Sequence, residues 1–179
     1  MQGRAIAVVG PSGAGKDTLI DAAMQARPDL LKARRVITRP TTAGGEDFDG
    51  ATVAEFQRRA AAGDFILTWQ AHGLHYAIPH GIMQDLNAGR DVILNLSRAV
   101  LVQARDQLPN LRVIMVTAAP EILAARLSAR GRESTKDIAT RLARADYVLP
   151  DGLDVAHVDN SGDLRVGLQR FLSALAPPD

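Results

Sequence analysis

Short apolar runs alternate along this chain with longer stretches in which apolar positions return every three or four residues. The run Ala5-Ile6-Ala7-Val8-Val9 is apolar without a break, as suits a strand covered on both faces. It predicts a strand over 5–9, a loop over 10–15 and a helix over 16–26 that stops before Pro28. A second strand is predicted over 35–38, where Arg39 and Pro40 open a polar, glycine-rich stretch to Gly50. Thr52 and Glu55 stand at the spacing of a capping box, which predicts a helix over 53–62. Further strands are predicted over 65–69, 91–96, 112–117 and 155–159. Ser97 is placed to cap a helix to about Leu108, and Pro120 suits the first turn of a helix to about Ala129. Helices over 136–145 and 164–175 complete the pattern. Strands separated by helices predict an α/β fold with a mostly parallel sheet. The expectation is one core domain with two mobile inserts, near residues 35–80 and 130–145.

The 179 residues suffice for a sizeable core, and 46% hydrophobic with 23% charged residues is an ordinary soluble composition. Lys plus Arg number 21 and Asp plus Glu 20, a net charge of +1, so a surface that coats nucleic acid is not expected. The chain has no cysteine, which excludes disulfides, thiolate catalysis and cysteine-held metals. Its four histidines lack metal-ligand spacing. No apolar run nears the ~18 residues of a membrane helix, and the run at 5–9 is too short for a signal peptide. No membrane association and a cytoplasmic location are expected.

The strongest chemical signal is Gly10-Pro11-Ser12-Gly13-Ala14-Gly15-Lys16-Asp17-Thr18, between a predicted strand and a predicted helix. That context defines a phosphate-binding loop. Glycines let backbone N–H groups turn inward, the helix N-terminus adds partial positive charge, and Lys16 adds a full one. The position after Lys16 ordinarily holds Ser or Thr for magnesium; here it is Asp17. Asp17 and Thr18 are both oxygen donors suited to Mg²⁺, and Asp17 equally suits the first helical turn through the dipole. Asn95 ends a buried strand where many such proteins place a magnesium-side aspartate, so Asp17 would restore the charge missing there.

From Gly10 to Lys16 the loop resembles that of the guanylate kinases and other nucleoside monophosphate kinases, and the likeness extends over nearly the whole chain. The segment 34–46, with Thr38-Arg39-Pro40 and Gly45-Glu46, is similar to their acceptor-phosphate segment. His72-Gly73 and Tyr76 resemble their following hairpin, Arg130-Gly131-Arg132 and Arg141 their lid arginines, and Val158-Asp159-Asn160 their adenine-side loop. The departures fall where guanine would be read. Thr41 and Thr42 stand near the second acceptor arginine, Leu67 or Thr68 at the guanine-reading glutamate, and Asn95 and Ser97 at the acidic pair of the central strand. Each charge-assisted bond lost to a base edge costs on the order of 1.5–3 kcal/mol. The loop with segments 34–40, 95–98 and 159–162 resembles more specifically the ribose 1,5-bisphosphate phosphokinases of phosphonate catabolism, which make 5-phosphoribosyl 1-diphosphate (PRPP) from ATP.

That resemblance implies a three-layer P-loop kinase fold with an acceptor-binding insert and a short lid. It implies ATP and a small sugar bisphosphate as ligands, with Mg²⁺ as cofactor. Lys16 would hold the β- and γ-phosphates, and Arg132 and Arg141 would close over the transferring group, with Arg130 at the ATP. Arg39, by a bidentate fork, and Tyr76, through its hydroxyl, would bind an acceptor phosphate, assisted by Arg35. Asn95, Ser97 and Arg98 lie at the carboxyl edge of the sheet, where open α/β folds bind ligands; Ser97 also works as a plain cap. Asn160 would contact adenine or only shape the turn before Gly162. Glu46 would order the acceptor arginine or lie in solvent. Trp69 is expected in the core rather than as a stacking platform, His72 and His75 on the surface or packed in the hairpin rather than against a ligand, and Arg126 and Arg144 either on a solvated face or at the site. A guanylate kinase and a catalytically silent guanylate-kinase-like interaction module are the competing readings. The missing guanine contacts oppose the first, and Lys16 with the lid arginines opposes the second.

Overall fold

The computed structural model describes residues 1–129 and 148–176. Its central sheet has the order β2-β7-β1-β8-β9 and is parallel throughout. These strands are β1 (Ala5–Val9), β2 (Leu31–Lys32), β7 (Val92–Asn95), β8 (Leu111–Thr117) and β9 (Asp154–Asp159). A second sheet, ordered β4-β3-β6-β5, comprises β3 (Arg35–Ile37), β4 (Phe48–Gly50), β5 (Phe65–Ala71) and β6 (Leu74–Pro79). Only its β3/β4 pair is parallel. The helices are α1 (Lys16–Ala26), α2 (Val53–Ala61), α3 (Ile82–Asn87), α4 (Leu101–Gln107), α5 (Pro120–Ala129) and α6 (Leu164–Leu175).

Alternation along β1 explains the layering. Ala5, Ala7 and Val9 join one core cluster, and Ile6 and Val8 join another. Successive strand side chains point to opposite faces, so an all-apolar strand must be covered on both. One face is covered by Leu86 of α3, Leu101 and Ala104 of α4, and Leu67 and Ile78 of the second sheet. The other is covered by Leu19, Ile20 and Ala23 of α1 and Phe171 and Leu175 of α6. The hairpin β5/β6 is therefore fastened to the central sheet by its own buried leucine and isoleucine. Arg4 closes the sheet's lower end: its Nε donates to Asp91 Oδ2 at 3.0 Å and its Nη2 to the Leu175 carbonyl at 2.8 Å. Burial pushes the Asp91 carboxyl up, but the Arg4 bonds outweigh it and hold it below its usual range.

The capping box forms as expected, Thr52 Oγ1 accepting from the Glu55 N–H at 3.1 Å. Ser97 caps a 3-10 turn, Arg98–Val100, before α4 rather than one continuous helix. Four short elements, β2, β4, β6 and α3, were not expected from the pattern: none is longer than six residues, too short for a period to declare itself. The helix expected over 136–145 lies outside the described residues. Among the described residues no helix is long and apolar enough to cross a membrane.

Candidate active site

Strand β1 delivers the chain into the glycine loop, and α1 begins at Lys16. Gly10 passes so close to β8 that a Cβ there would lie 2.1 Å from the Val116 carbonyl oxygen, with φ at +152°. Only glycine allows the loop to leave the sheet at this point. Lys16 Nζ lies over the loop and donates to the Gly10 carbonyl at 2.9 Å. Register then brings β7 to the same place: Val8 pairs with Asn95. Asn95 is buried, and its Nδ2 donates to Asp17 Oδ1 at 2.6 Å. The carboxylate and the amide thus occupy one corner of the site.

The second sheet supplies the opposite wall. One pocket is lined by Gly10, Ser12, Gly13, Gly15, Lys16, Asp17 and Thr18 from the loop side, by Asn95, Leu96 and Ser97 from β7 and its end, and by Arg35, Trp69, Ala71, His72 and Tyr76. Arg35 reaches across from β3. Its Nε donates to Glu46 Oε2 at 2.9 Å, its Nη2 to Glu46 Oε1, and its Nη1 to the Asn95 carbonyl at 3.1 Å. Its guanidinium also stands 5.2 Å from the Tyr76 ring centroid. Trp69 and Tyr76 are cross-strand partners whose rings stack at 5.3 Å. The core position expected for Trp69 is corrected: the ring packs on the core with one side and lines the pocket with the other. His72, left-handed at the hairpin tip with φ +52°, also reaches the pocket wall, whereas His75 packs beside Phe56 at 5.4 Å.

Two assignments change. Arg39 does not line this pocket. Its guanidinium lies 4.3 Å from the Phe48 ring centroid, and its Nη2 donates to the Gly44 carbonyl at 3.2 Å and stands 3.8 Å from Glu46. It borders a separate hollow with Thr38, Thr41 and Thr52. The cause is local: the Arg39 N–H bonds back to the Ile37 carbonyl at 2.8 Å, a three-residue turn that takes Arg39 off the face Arg35 shares. Glu46 accordingly orders Arg35 first. Asn160 is also displaced from its expected adenine contact. Its side chain is buried behind the loop, where Nδ2 donates to the Ala14 carbonyl at 2.8 Å. Pro11 and Ala14 are buried too, so neither offers a side chain to a ligand.

Arg98 opens the 3-10 turn and is not among the lining residues. Arg130, Arg132 and Arg141, with Arg144, lie outside the described residues. Its place in a charge run leaves Arg126 open between a solvated face and the site. The structure sets it against the back of the loop, its Nη1 donating to the Gly13 carbonyl at 3.2 Å and its Nη2 to the Asn160 carbonyl at 2.9 Å. Nothing in a charge run distinguishes such an arginine from a solvated one. After β9, the Ser161 hydroxyl bonds Asp159 and, with Arg170 beside it, holds that carboxyl below its usual range.

A parallel sheet that feeds a glycine loop, a lysine at a helix N-terminus and an arginine-bearing wall opposite define a phosphotransferase of the P-loop class. Comparison with known proteins places it further. The guanylate kinase family model matches residues 2–163, and the chain belongs to that family. It is 51% identical to ribose 1,5-bisphosphate phosphokinase PhnN of a Ruegeria species over 168 residues, covering 93% of this chain and 88% of the relative. It is 47% identical to the bifunctional ribose 1,5-bisphosphokinase-thymidine phosphorylase of Cupriavidus necator, covering 94% of this chain but 28% of that longer protein. Among solved structures, guanylate kinase from Anaplasma phagocytophilum superposes with a TM-score of 0.68 over 97% of this chain and 85% of its own, at 18% identity. That last likeness speaks for the fold alone.

Proposed function

We infer that this chain phosphorylates ribose 1,5-bisphosphate with ATP, giving PRPP and ADP. The observation that carries the reading is near-full-length similarity to phosphokinases of that name, at 51% and 47% identity for the Ruegeria and Agrobacterium fabrum relatives. The pocket agrees with it. Leu67 is buried in the core and Thr68 is exposed, and neither lines the pocket. Asn95 and Ser97 line the pocket in place of the acidic pair. An acceptor without a base needs none of those groups. An acceptor with two phosphates needs cations, and Arg35 brings a guanidinium to the pocket wall, held there by Glu46.

In the reaction an oxygen of the acceptor's 1-phosphate forms a bond to the γ-phosphorus while the bond from that phosphorus to the β-γ bridging oxygen breaks, and ADP leaves. The attacking oxygen is already ionised, so no general base is required. The protein's task is to position the phosphates and offset their charge. We assign Lys16 and the loop N–H groups to the triphosphate, and Arg35, Tyr76, Asn95 and Ser97 to the acceptor. Arg132 and Arg141 are assigned to the transferring group, within one kinase domain whose insert spans 35–80 and whose lid spans 130–145. Magnesium, which kinases of this type use with ATP, supplies charge neutralisation across the phosphates. The donor set fits it: Asp17 lines the pocket with one oxygen held by Asn95, and Thr18 lies beside it.

A coupled assay with ribose 1,5-bisphosphate and GMP side by side tests the reading. Turnover of the sugar exceeds that of GMP by at least a hundredfold, about 3 kcal/mol of discrimination. Strong GMP turnover without sugar turnover overturns it, and no turnover of either returns the interaction module. The metal assignment has its own test. Asp17→Asn raises the free Mg²⁺ needed for half-maximal turnover by roughly tenfold, and weakens Mn²⁺ binding to the ATP complex in electron paramagnetic resonance titrations. A carboxylate that serves only the helix dipole changes thermal stability and leaves both metal readouts where they were.

A further inference from the structure

Behind the phosphate loop, side chains from two places in the fold converge on one carbonyl group. The Ala14 carbonyl accepts from Asn160 Nδ2 at 2.8 Å and from Arg126 Nη1 at 3.4 Å, and the same Arg126 nitrogen donates to the Gly13 carbonyl at 3.2 Å. The two donors are themselves joined, Arg126 Nη2 donating to the Asn160 carbonyl at 2.9 Å. The Asn160 N–H is tied to the Thr117 carbonyl at 2.8 Å, where β8 ends. The seat is tight. A Cβ on Gly15 would meet Asn160 Nδ2 at 2.5 Å, and a Cβ on Gly167 of α6 would meet Asn160 Oδ1 at 2.2 Å. Gly167, inside a helix where glycine costs stability, is explained by the room it leaves for this side chain.

A planar trans peptide points its C=O and N–H in opposite directions, and the described chain has no cis peptide. Two donors hold the Ala14 carbonyl at the back of the loop, so the N–H of Gly15 is turned to the front, where Gly15 lines the pocket. With Gly15 on one side, this peptide has little intrinsic preference against the reverse orientation. Reversed, it would present a carbonyl oxygen to a phosphate oxygen. We propose that Arg126 and Asn160 are positioning residues for phosphoryl transfer: they lock the Ala14–Gly15 peptide with its N–H toward the triphosphate. Neither has to touch a ligand to do so. The inference rests on the triphosphate reading of the loop given above, and it is independent of which acceptor is used.

Calorimetry with two probes, ATP and inorganic tripolyphosphate, separates this role from a contact to the nucleoside. In Arg126→Ala the affinities for ATP and for tripolyphosphate fall by the same factor, roughly tenfold, while the KM for ribose 1,5-bisphosphate stays within about twofold of the parent. Arg126→Lys, which keeps the charge and a donor, recovers part of the loss for both probes. Asn160→Ser, shorter and with its donor withdrawn, loses both in parallel; these two variants decide the matter if Arg126→Ala does not fold. A loss confined to ATP makes Arg126 a nucleoside contact and overturns the proposal, as do unchanged affinities for both probes. A parent protein that binds tripolyphosphate but ignores ribose 1,5-bisphosphate overturns the assigned reaction and leaves this inference standing.

Discussion

Lys16→Ala lowers turnover with ribose 1,5-bisphosphate by on the order of a thousandfold, the scale reached when a preorganised donor to developing charge is removed. The side chain bridges the Gly10 carbonyl and the pocket that the loop lines, so its ammonium is already over the space the phosphates take. Its loss removes the one full positive charge that residues 10–18 contribute. The effect falls on kcat more than on acceptor KM, because the charge it offsets grows as the γ-phosphoryl group transfers. Steady-state kinetics with both substrates varied checks it. A near-normal rate removes Lys16 from the mechanism. The fold is retained, since Lys16 is half-buried at the start of α1 and belongs to none of the core clusters.

Arg35→Ala has the second largest effect, and it falls on the acceptor. The acceptor KM rises roughly ten- to a hundredfold, the equivalent of one charge-assisted pair of about 1.5–3 kcal/mol, and ATP affinity changes little. Arg39→Ala, which alters a guanidinium stacked on Phe48 outside the pocket, changes acceptor KM several-fold less. The comparison is informative because both arginines approach the same carboxylate, Glu46, one by two hydrogen bonds and the other at 3.8 Å. Arg35→Lys retains charge but cannot reproduce the fork that spans Glu46 and the Asn95 carbonyl, so it recovers only part of the loss. Equal damage to ATP affinity in Arg35→Ala, or a larger acceptor effect in Arg39→Ala, contradicts the assignment. Initial rates at saturating ATP, paired with calorimetry for ATP, give both readings.

Most of the central architecture was legible before any coordinates. The run at 5–9, the helix at 16–26 and the last helix at 164–175 coincide with β1, α1 and α6. Such elements announce themselves because a strand buried on both faces must be apolar throughout and a helix on a sheet must show its period. The second sheet was harder. Its β3 answers to the strand expected over 35–38, but β4 is three residues long, and Phe48 gives no local sign of the partner Arg35 that register assigns it. The capping box at Thr52 was legible because both of its members lie within one helical turn.

The chemistry divides along the same line. Residues 10–18 declare a phosphate loop on their own, because that function is built from consecutive backbone groups and one nearby lysine. The absent guanine readers are likewise legible as residue types. What tertiary structure decided was facing. Asp17 and Asn95, far apart in the chain, meet because β1 and β7 pair in a register that sets Val8 beside Asn95. A three-residue turn after Ile37 chose Arg35 over Arg39 for the pocket. Arg126 and Asn160 went behind the loop rather than to its open side, and Trp69 turned one side to the ligand space. Sequence by itself determines which groups are present and which local backbone they favour. Where a side chain points depends on sheet register and on short turns, and these are settled only when distant strands bury their apolar faces together.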